Sequence, residues 1–194
     1  MREIIYVSKG AWTTGNFNDL MGAGRMDIVC HAIIMSFFVS NRLREDVKLH
    51  LFFYGKPDPP KHLELMPKQD DKFQISKKDI SGLIKRILYK YKKNLKSEVF
   101  PGCFIEKLSL NKFLDNIKDK QIYILDKNGE NISNVHLDEN SVFILGDQDG
   151  IPKEDLKILK KAKKISLGNI VYFSSQAITI LNYELDKRNL WTII

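Results

Sequence analysis

Two short apolar runs in the last third of the chain each end at a glycine. Residues 143–152 read FILGDQDGIP, and residues 165–168 read ISLG. Glycine permits sharp turns and lets a ligand approach the backbone closely. In open α/β sheets, ligands collect at the carboxyl ends of strands. The two runs therefore predict strand ends at Gly146 and Gly168 that belong to one cofactor pocket.

A third apolar run precedes these two. Residues 121–125 read QIYIL and are followed by the turn sequence DKNG. Three consecutive strands are thus expected to end in turns, at Leu125, Gly146 and Gly168, and these ends lie side by side if the strands are neighbours. Any one strand end of this kind is common in α/β proteins for geometric reasons, whereas three such strand ends in one stretch favour a pocket.

Familiar catalytic and phosphate-binding motifs are missing. The chain has neither G-x-G-x-x-G after the first strand nor G-x-x-x-x-G-K-[ST], which disfavours cofactors held in a phosphate-cradling loop. Ser174 and Ser175 lack the G-x-S-x-G surroundings of a nucleophile, and serines at this place are typical helix caps.

Metal-ligating residues show no recognisable spacing. The histidines are scattered without an H-E-x-x-H or similar pattern, so we predict no metal site. The two cysteines, Cys30 and Cys103, lie in unrelated contexts and are interpreted as free buried thiols. The four histidines are His31, His50, His62 and His136.

Composition indicates one folded domain over residues 1–194. A hydrophobic fraction of 43% and a charged fraction of 28% are ordinary for a globular protein. The longest apolar stretch, residues 28–39, is interrupted by His31 and Ser36 and is too short to cross a bilayer. The first seven residues lack the features of a secretory signal. We therefore expect a cytoplasmic protein without a membrane partner.

The charge distribution leaves two interpretations open. The net charge is +7, with eight cations in residues 77–96 and six in residues 153–164. Such runs are compatible with a polyanionic partner, but they are equally typical of solvated helix faces.

Alternating strand and helix patterns predict an α/β fold with a mainly parallel sheet flanked by helices. Residues 99–103 are predicted to form a turn. The expected strands are 3–8, 47–54, 61–66, 121–125, 142–145 and 164–167, and the expected helices are 25–39, 78–91, 109–117, 153–161 and 174–187.

Three segments together resemble SPOUT methyltransferases, and in particular the archaeal TrmY family. They are residues 143–152, residues 165–168 and the helix that contains NYELD at 182–186. A fourth segment, FNDLMGAGRMDIVC at 17–30, resembles the N-terminal signature of the same family. The resemblance spans nearly the whole chain. It implies S-adenosylmethionine as methyl donor, a homodimer, a deep C-terminal trefoil knot within residues 121–194, and N1-methylation of pseudouridine 54 in the T-loop of tRNA.

The resemblance also implies a cofactor site. It lies at the turns that would form the knot, where the adenine would meet main-chain groups. Ala177 departs from the cysteine expected there in many relatives, so no thiol role is assigned at that position. The implied cofactor-binding residues are Leu125, Gly146, Asn169, Ile170, Val171, Tyr172, Phe173 and Ser174, with Gly150 and Ala177 as close neighbours.

Methyl transfer to a ring nitrogen requires alignment of donor and acceptor and removal of the N1 proton. Asp27 is the candidate acceptor of that proton or orienter of the uracil ring. It is equally compatible with an ordinary carboxylate at a helix start. Arg25 is the candidate RNA phosphate contact, and Lys85 and Arg86 within the basic run are candidate contacts to the tRNA backbone.

Two other functions fit the same residues. A sister SPOUT enzyme that methylates a pseudouridine in small-subunit ribosomal RNA would share the chemistry. A non-catalytic RNA-binding protein would share the fold, although the intact LGDQDGIP turn argues against it.

Overall fold

A computed structural model describes residues 1–40, 42–68 and 76–188 of the chain. Single turns of 3₁₀ helix lie at Ile132–Asn134 and Leu159–Lys161. In chain order, the other elements are β1 (Arg2–Ser8), α1 (Met26–Phe37), β2 (Phe38–Val39), β3 (Arg42–Leu43), β4 (Val47–Phe53), β5 (Lys61–Leu65), α2 (Lys77–Tyr89), β6 (Ser97–Phe100), β7 (Cys103–Glu106), α3 (Leu110–Asp115), β8 (Gln121–Asn131), β9 (Ser141–Gly146), α4 (Lys153–Ile158), β10 (Lys163–Ser166) and α5 (Ser174–Asp186).

Within the described residues, eight strands form one sheet in the order β10-β8-β9-β1-β4-β5-β7-β6. The first five strands of this order are parallel to one another, and β5, β7 and β6 extend the sheet antiparallel. The short strands β2 and β3 pair separately. The predicted α/β fold with a mainly parallel sheet is confirmed.

Both faces of the sheet are covered, because the central strands are apolar on both sides. In β1, Ile4 and Tyr6 pack in one core while Ile5 and Val7 pack in the other. Such two-sided burial is typical of parallel strands. Helices α1, α2 and α5 lie over the first core, and α3 and α4 lie over the second.

The turn predicted within residues 99–103 is confirmed. It joins β6 and β7, two strands that the sequence did not predict, and bends at Gly102, where φ is +70°.

The predicted strand end at Leu125 is wrong, because β8 continues to Asn131. Its pairing with β10 jumps from Ile124 to Glu130, so residues 125–129 bulge out of the ladder. The polar turn residues produce a bulge here because β10 resumes pairing beyond them.

A buried arginine joins the first strand to the last helix. Arg2 is fully buried, and its Nε lies 2.7 Å from Asp46 Oδ2 while its Nη2 lies 2.5 Å from Asp186 Oδ1. Arg44 binds the same Asp186 carboxylate at 2.8 and 2.6 Å. Burial alone would raise the pKa of Asp186, but the hydrogen bonds from Arg44 and Arg2 lower it below its ordinary value.

The described helices are all too short or too polar to cross a lipid bilayer. Both cysteines are free and buried, as predicted. Burial raises the pKa of the Cys30 thiol to about 12, which keeps it protonated and unreactive.

Replacing Arg2 by Leu is expected to destabilise the fold by about 3–5 kcal/mol, since it removes the buried partner of two carboxylates. Chemical denaturation measures this change. The control is Lys118→Ala, which removes the exposed Lys118–Asp115 pair and should cost less than about 1 kcal/mol. Equal losses in the two variants would show that Arg2 does not anchor α5.

Candidate functional site

Strands β10, β8 and β9 are neighbours, so Gly168, the bulge that begins at Leu125, and Gly146 lie in a row at one end of the sheet. A cavity of about 100 Å³ lies at these ends. It is lined by Leu125, Asp126, Lys127, Leu167, Gly168, Ile170, Val171, Tyr172 and Ala177.

A second cavity of about 270 Å³ adjoins the first. Val171 and Tyr172 line both cavities, so the loop of residues 169–173 forms the wall between them. Asn169 is exposed and lines neither cavity. The second cavity is lined by Ile28, Asp147, Gln148, Val171, Tyr172, Phe173, Ser174 and Gln176.

The turn after β9 has no room for a side chain at Gly146. A Cβ atom built there would lie 2.3 Å from the carbonyl carbon of Gly150 and 2.5 Å from the nitrogen of Ile151. Gly150 itself has φ of +71°, with open space around its Cα. The first glycine is therefore required by close packing and the second by backbone conformation.

Asp147 binds the turn to the first strand. Its backbone nitrogen donates to the Val7 carbonyl at 2.9 Å, and its carboxylate accepts from the backbone nitrogens of Lys9 at 3.1 Å and Asp149 at 2.9 Å. The loop after β1 and the turn after β9 are thus held together by one side chain.

Ser174 attaches α5 to the same turn. Its hydroxyl donates to the Gly146 carbonyl at 2.8 Å instead of capping the helix, so the sequence-based interpretation as a cap is wrong. Gln176 forms a capping hydrogen bond instead, because its Oε1 accepts from the Phe173 backbone nitrogen at 3.1 Å.

Asp27 and Arg25 form a paired group at the start of α1. Gly24 and Arg25 both have positive φ, 72° and 61°, which turns the chain into the helix. Arg25 Nε and Nη2 each lie 3.0 Å from one oxygen of Asp27. This bidentate bond lowers the pKa of Asp27, so the carboxylate is ionised, while the Arg25 side chain stays 41% exposed.

Tyr6 is a candidate that sequence reasoning missed. It is fully buried, and its hydroxyl has no hydrogen-bond partner among the described residues. It lies near Ser174, Asp147 and Asp27; burial raises its pKa above the ordinary value, and the two carboxylates raise it further. In the sequence it is only one aromatic residue in an apolar strand, and nothing there marks its hydroxyl.

The predicted RNA contacts lie on α2, beside the loop that leads into α1. Lys85 Nζ lies 4.8 Å from the centre of the Phe17 ring, and Arg86 lies 5.3 Å from that of Phe100. At the other end of α2, Lys77 is exposed and close enough to Asp27 to lower its pKa. The basic helix therefore borders the Arg25–Asp27 pair.

The fold and the cavities define an α/β domain with a pocket at the carboxyl ends of its parallel strands, where ligands of such sheets collect. Residues 1–190 match the family model of SAM-dependent RNA methyltransferases. The chain therefore belongs to this family.

Curated relatives match along the full chain. A tRNA (pseudouridine(54)-N(1))-methyltransferase of Methanococcoides burtonii is 37% identical, with 96% of each chain covered. The protein of the same name from Methanocaldococcus jannaschii is 34% identical, with 100% of each chain covered.

A solved structure shares the fold. The Nep1 protein of Archaeoglobus fulgidus, bound to S-adenosylhomocysteine, superposes with a TM-score of 0.70 at 12% identity, covering 98% of this chain and 99% of that one. The predicted resemblance in fold is thereby confirmed.

S-adenosylmethionine is the cofactor of this family. Gly146→Ala is expected to weaken its binding at least tenfold and to destabilise the fold by about 1–3 kcal/mol, because the new methyl group meets backbone that must move. Calorimetry with S-adenosylmethionine and chemical denaturation measure the two effects.

The matched control is Gly82→Ala on α2, where a Cβ has open space. It should stabilise the fold by about 0.5–1 kcal/mol and leave cofactor affinity unchanged. Unaltered affinity in Gly146→Ala would exclude this turn from the cofactor site.

Proposed function

We propose that this chain methylates N1 of pseudouridine 54 in the T-loop of tRNA, with S-adenosylmethionine as donor. The observation that carries the proposal is the full-length similarity to curated enzymes of that name, at 34–37% identity. The ribosomal RNA alternative has weaker support, because these full-length curated relatives carry the name of the tRNA enzyme. The position of the ionised Asp27 near the second cavity is compatible with the proposed chemistry.

The residues at the strand ends suit this cofactor. No described residue accepts a hydrogen bond from the backbone nitrogens of residues 169–172, so these groups are free to bind a ligand. Val171 and Leu125 offer apolar surface beside them. We infer that the adenine lies against this loop, with Ala177 leaving space beside it, while Gly146 and Gly150 shape the neighbouring turn.

When bound, S-adenosylmethionine supplies an electrophilic methyl group. Attack by N1 releases the N1 proton, for which Asp27 is the candidate acceptor. A positioned base of this kind contributes about 10²–10⁴-fold to a rate. The Asp27 carboxylate is close enough to Tyr6 to raise the pKa of the Tyr6 hydroxyl, and Ser174, next to that hydroxyl, lines the second cavity.

Arg25 controls how strong a base Asp27 is. While Arg25 forms the bidentate bond, the pKa of Asp27 is lowered and its affinity for a proton is small. Because the Arg25 side chain is partly exposed, an RNA phosphate can compete for it. We infer that binding of the RNA draws Arg25 away and thereby strengthens Asp27 as a base.

The basic face of α2 is the proposed contact to the tRNA backbone. Lys85, Arg86 and Lys77 lie on this helix, which borders Asp27 at one end and the loop after β1 at the other. Such contacts release counterions, so affinity for tRNA should fall as salt concentration rises. We place the enzyme in the cytoplasm with this substrate.

A homodimer and a knot complete the proposal. Side chains of the 169–173 loop, α1 and α5 leave apolar surface exposed, notably Val171 at 74%, Phe173 at 68% and Tyr183 at 60%. Exposed apolar patches of this kind often mark interfaces. The chain leaves the edge strand β10, passes the end of β8 and docks on the end of β9. We infer a trefoil knot within residues 121–194 of this single domain.

The test is methyl transfer from labelled S-adenosylmethionine to matched tRNA transcripts that carry either uridine or pseudouridine at position 54. We expect one methyl group, on N1 of the pseudouridine only. Transfer to ribosomal RNA but to neither tRNA would favour the sister activity, and cofactor binding without any transfer would contradict the proposed substrate.

Asp27→Asn is expected to lower kcat by about 10²–10⁴-fold with unchanged cofactor affinity. The matched control is Asp79→Asn, since Asp79 is also the acidic residue in the first turn of a helix. It should leave kcat unaltered. If both variants retain full transfer, Asp27 is an ordinary helix-start carboxylate.

A further inference from the structure

A second group of polar side chains lies under α3, on the sheet face opposite α1 and α5. His50 and His62 are buried on the adjacent strands β4 and β5. His50 Nε2 lies 3.2 Å from Glu3 Oε1, and His62 Nδ1 lies 3.1 Å from Glu106 Oε1. The inner nitrogens, His50 Nδ1 and His62 Nε2, lie 2.9 Å apart.

The facing nitrogens can hold a cation between them. Each carboxylate accepts a hydrogen bond, so the outer nitrogen of each ring carries the hydrogen. A neutral imidazole has one N–H, which leaves a lone pair on both inner nitrogens. The ring centres are 5.1 Å apart with 22° between the planes, so the rings meet nearly edge to edge. Their lone pairs point at each other and repel.

A third ligand lies beside this pair. Glu64 is the cross-strand partner of His50, and its Oε2 lies 3.8 Å from His50 Nδ1. The ligand atoms of His50, His62 and Glu64 all lie within 4.8 Å of one another. We propose that these three residues bind a Zn²⁺ ion.

The chemistry of the group suits zinc. Two imidazoles and one carboxylate form a three-ligand zinc set, with a fourth position for water or a small anion. Glu3 and Glu106 fix the ring orientations, as carboxylates behind zinc-binding histidines do. Tetrahedral zinc with bonds of about 2.0–2.1 Å places two nitrogens about 3.3 Å apart. Binding therefore needs the two nitrogens to separate by about 0.4 Å and the rings to turn until both lone pairs point at one position beside the N–N line.

A shared proton is the competing explanation. It would make one ring an imidazolium between the Glu3 and Glu106 carboxylates, and a pair joined in this way would bind no metal ion. A metal ion has a route to the group, because Glu106 and Lys96, the ion-pair partner of Glu64, line a cavity of about 490 Å³.

The ion would connect two parts of the sheet. His50 belongs to the parallel strands and His62 to the antiparallel extension. A zinc ion would hold β4 to β5 below Phe113 of α3, whose ring lies 4.5 Å from that of His50. Sequence spacing could not reveal the pair, since twelve residues and a reversal of chain direction separate the ligands.

The test is titration of the full chain, freed of metal by a chelator, with Zn²⁺ and with Co²⁺. We expect one equivalent of Zn²⁺, measured by elemental analysis and chelator competition, and the intense visible absorption of tetrahedral Co²⁺. His62→Gln should weaken zinc binding more than 100-fold. Glu106→Gln keeps both rings and should weaken it about 10–100-fold. Zn²⁺ should raise the unfolding temperature of the wild-type protein.

His136→Gln is the matched control, because His136 is an exposed histidine on another part of the chain. It should bind zinc as the wild type does. Less than one equivalent in the wild type, octahedral Co²⁺, or affinity unchanged in both His62→Gln and Glu106→Gln would overturn the proposal. If His62→Gln fails to fold, the zinc affinity of Glu106→Gln decides whether the proposal stands.

Discussion

The turn after β9 is the constraint on which the candidate site depends. Gly146 is packed so closely against the backbone of Gly150 and Ile151 that no side chain fits. Its carbonyl accepts from Ser174, which fixes the start of α5, and Asp147 holds the loop after β1. Three segments remote in sequence are therefore positioned by two consecutive residues. A change at this turn acts on the cofactor loop and on the approach to Asp27 together.

Strand β1 carries a buried charged side chain on each face of the sheet, and these two side chains link the site to the rest of the molecule. Arg2 points toward α5 and binds Asp186, whereas Glu3 points the other way and binds His50. Isolated buried charges are costly, and each is stabilised here by partners of opposite charge or by a hydrogen-bond donor. The central strand thereby fixes both the last helix and the histidine pair.

Sequence reasoning succeeded where local chemistry determines structure. The mainly parallel sheet is present, and the strands that end near Gly146 and Gly168, β9 and β10, flank β8 at one end of it. It failed where the structure is determined by pairing between strands that are far apart in sequence. The bulge after Ile124 depends on where β10 resumes pairing, and a polar turn sequence does not encode that register. The hydroxyl of Tyr6 and the facing nitrogens of His50 and His62 arise only when strands far apart in sequence lie side by side.

The Arg25–Asp27 pair also constrains the order of events. An aspartate held in a bidentate bond by arginine cannot be a strong base, because the same bond that keeps it ionised lowers its affinity for a proton. Under the role proposed for Asp27, proton removal follows a change at Arg25. The partly exposed guanidinium, beside a basic helix, is where a phosphate can cause that change. In the proposed mechanism the RNA backbone acts on Asp27 before the uracil ring reaches it, which keeps the free enzyme from accepting protons without its substrate.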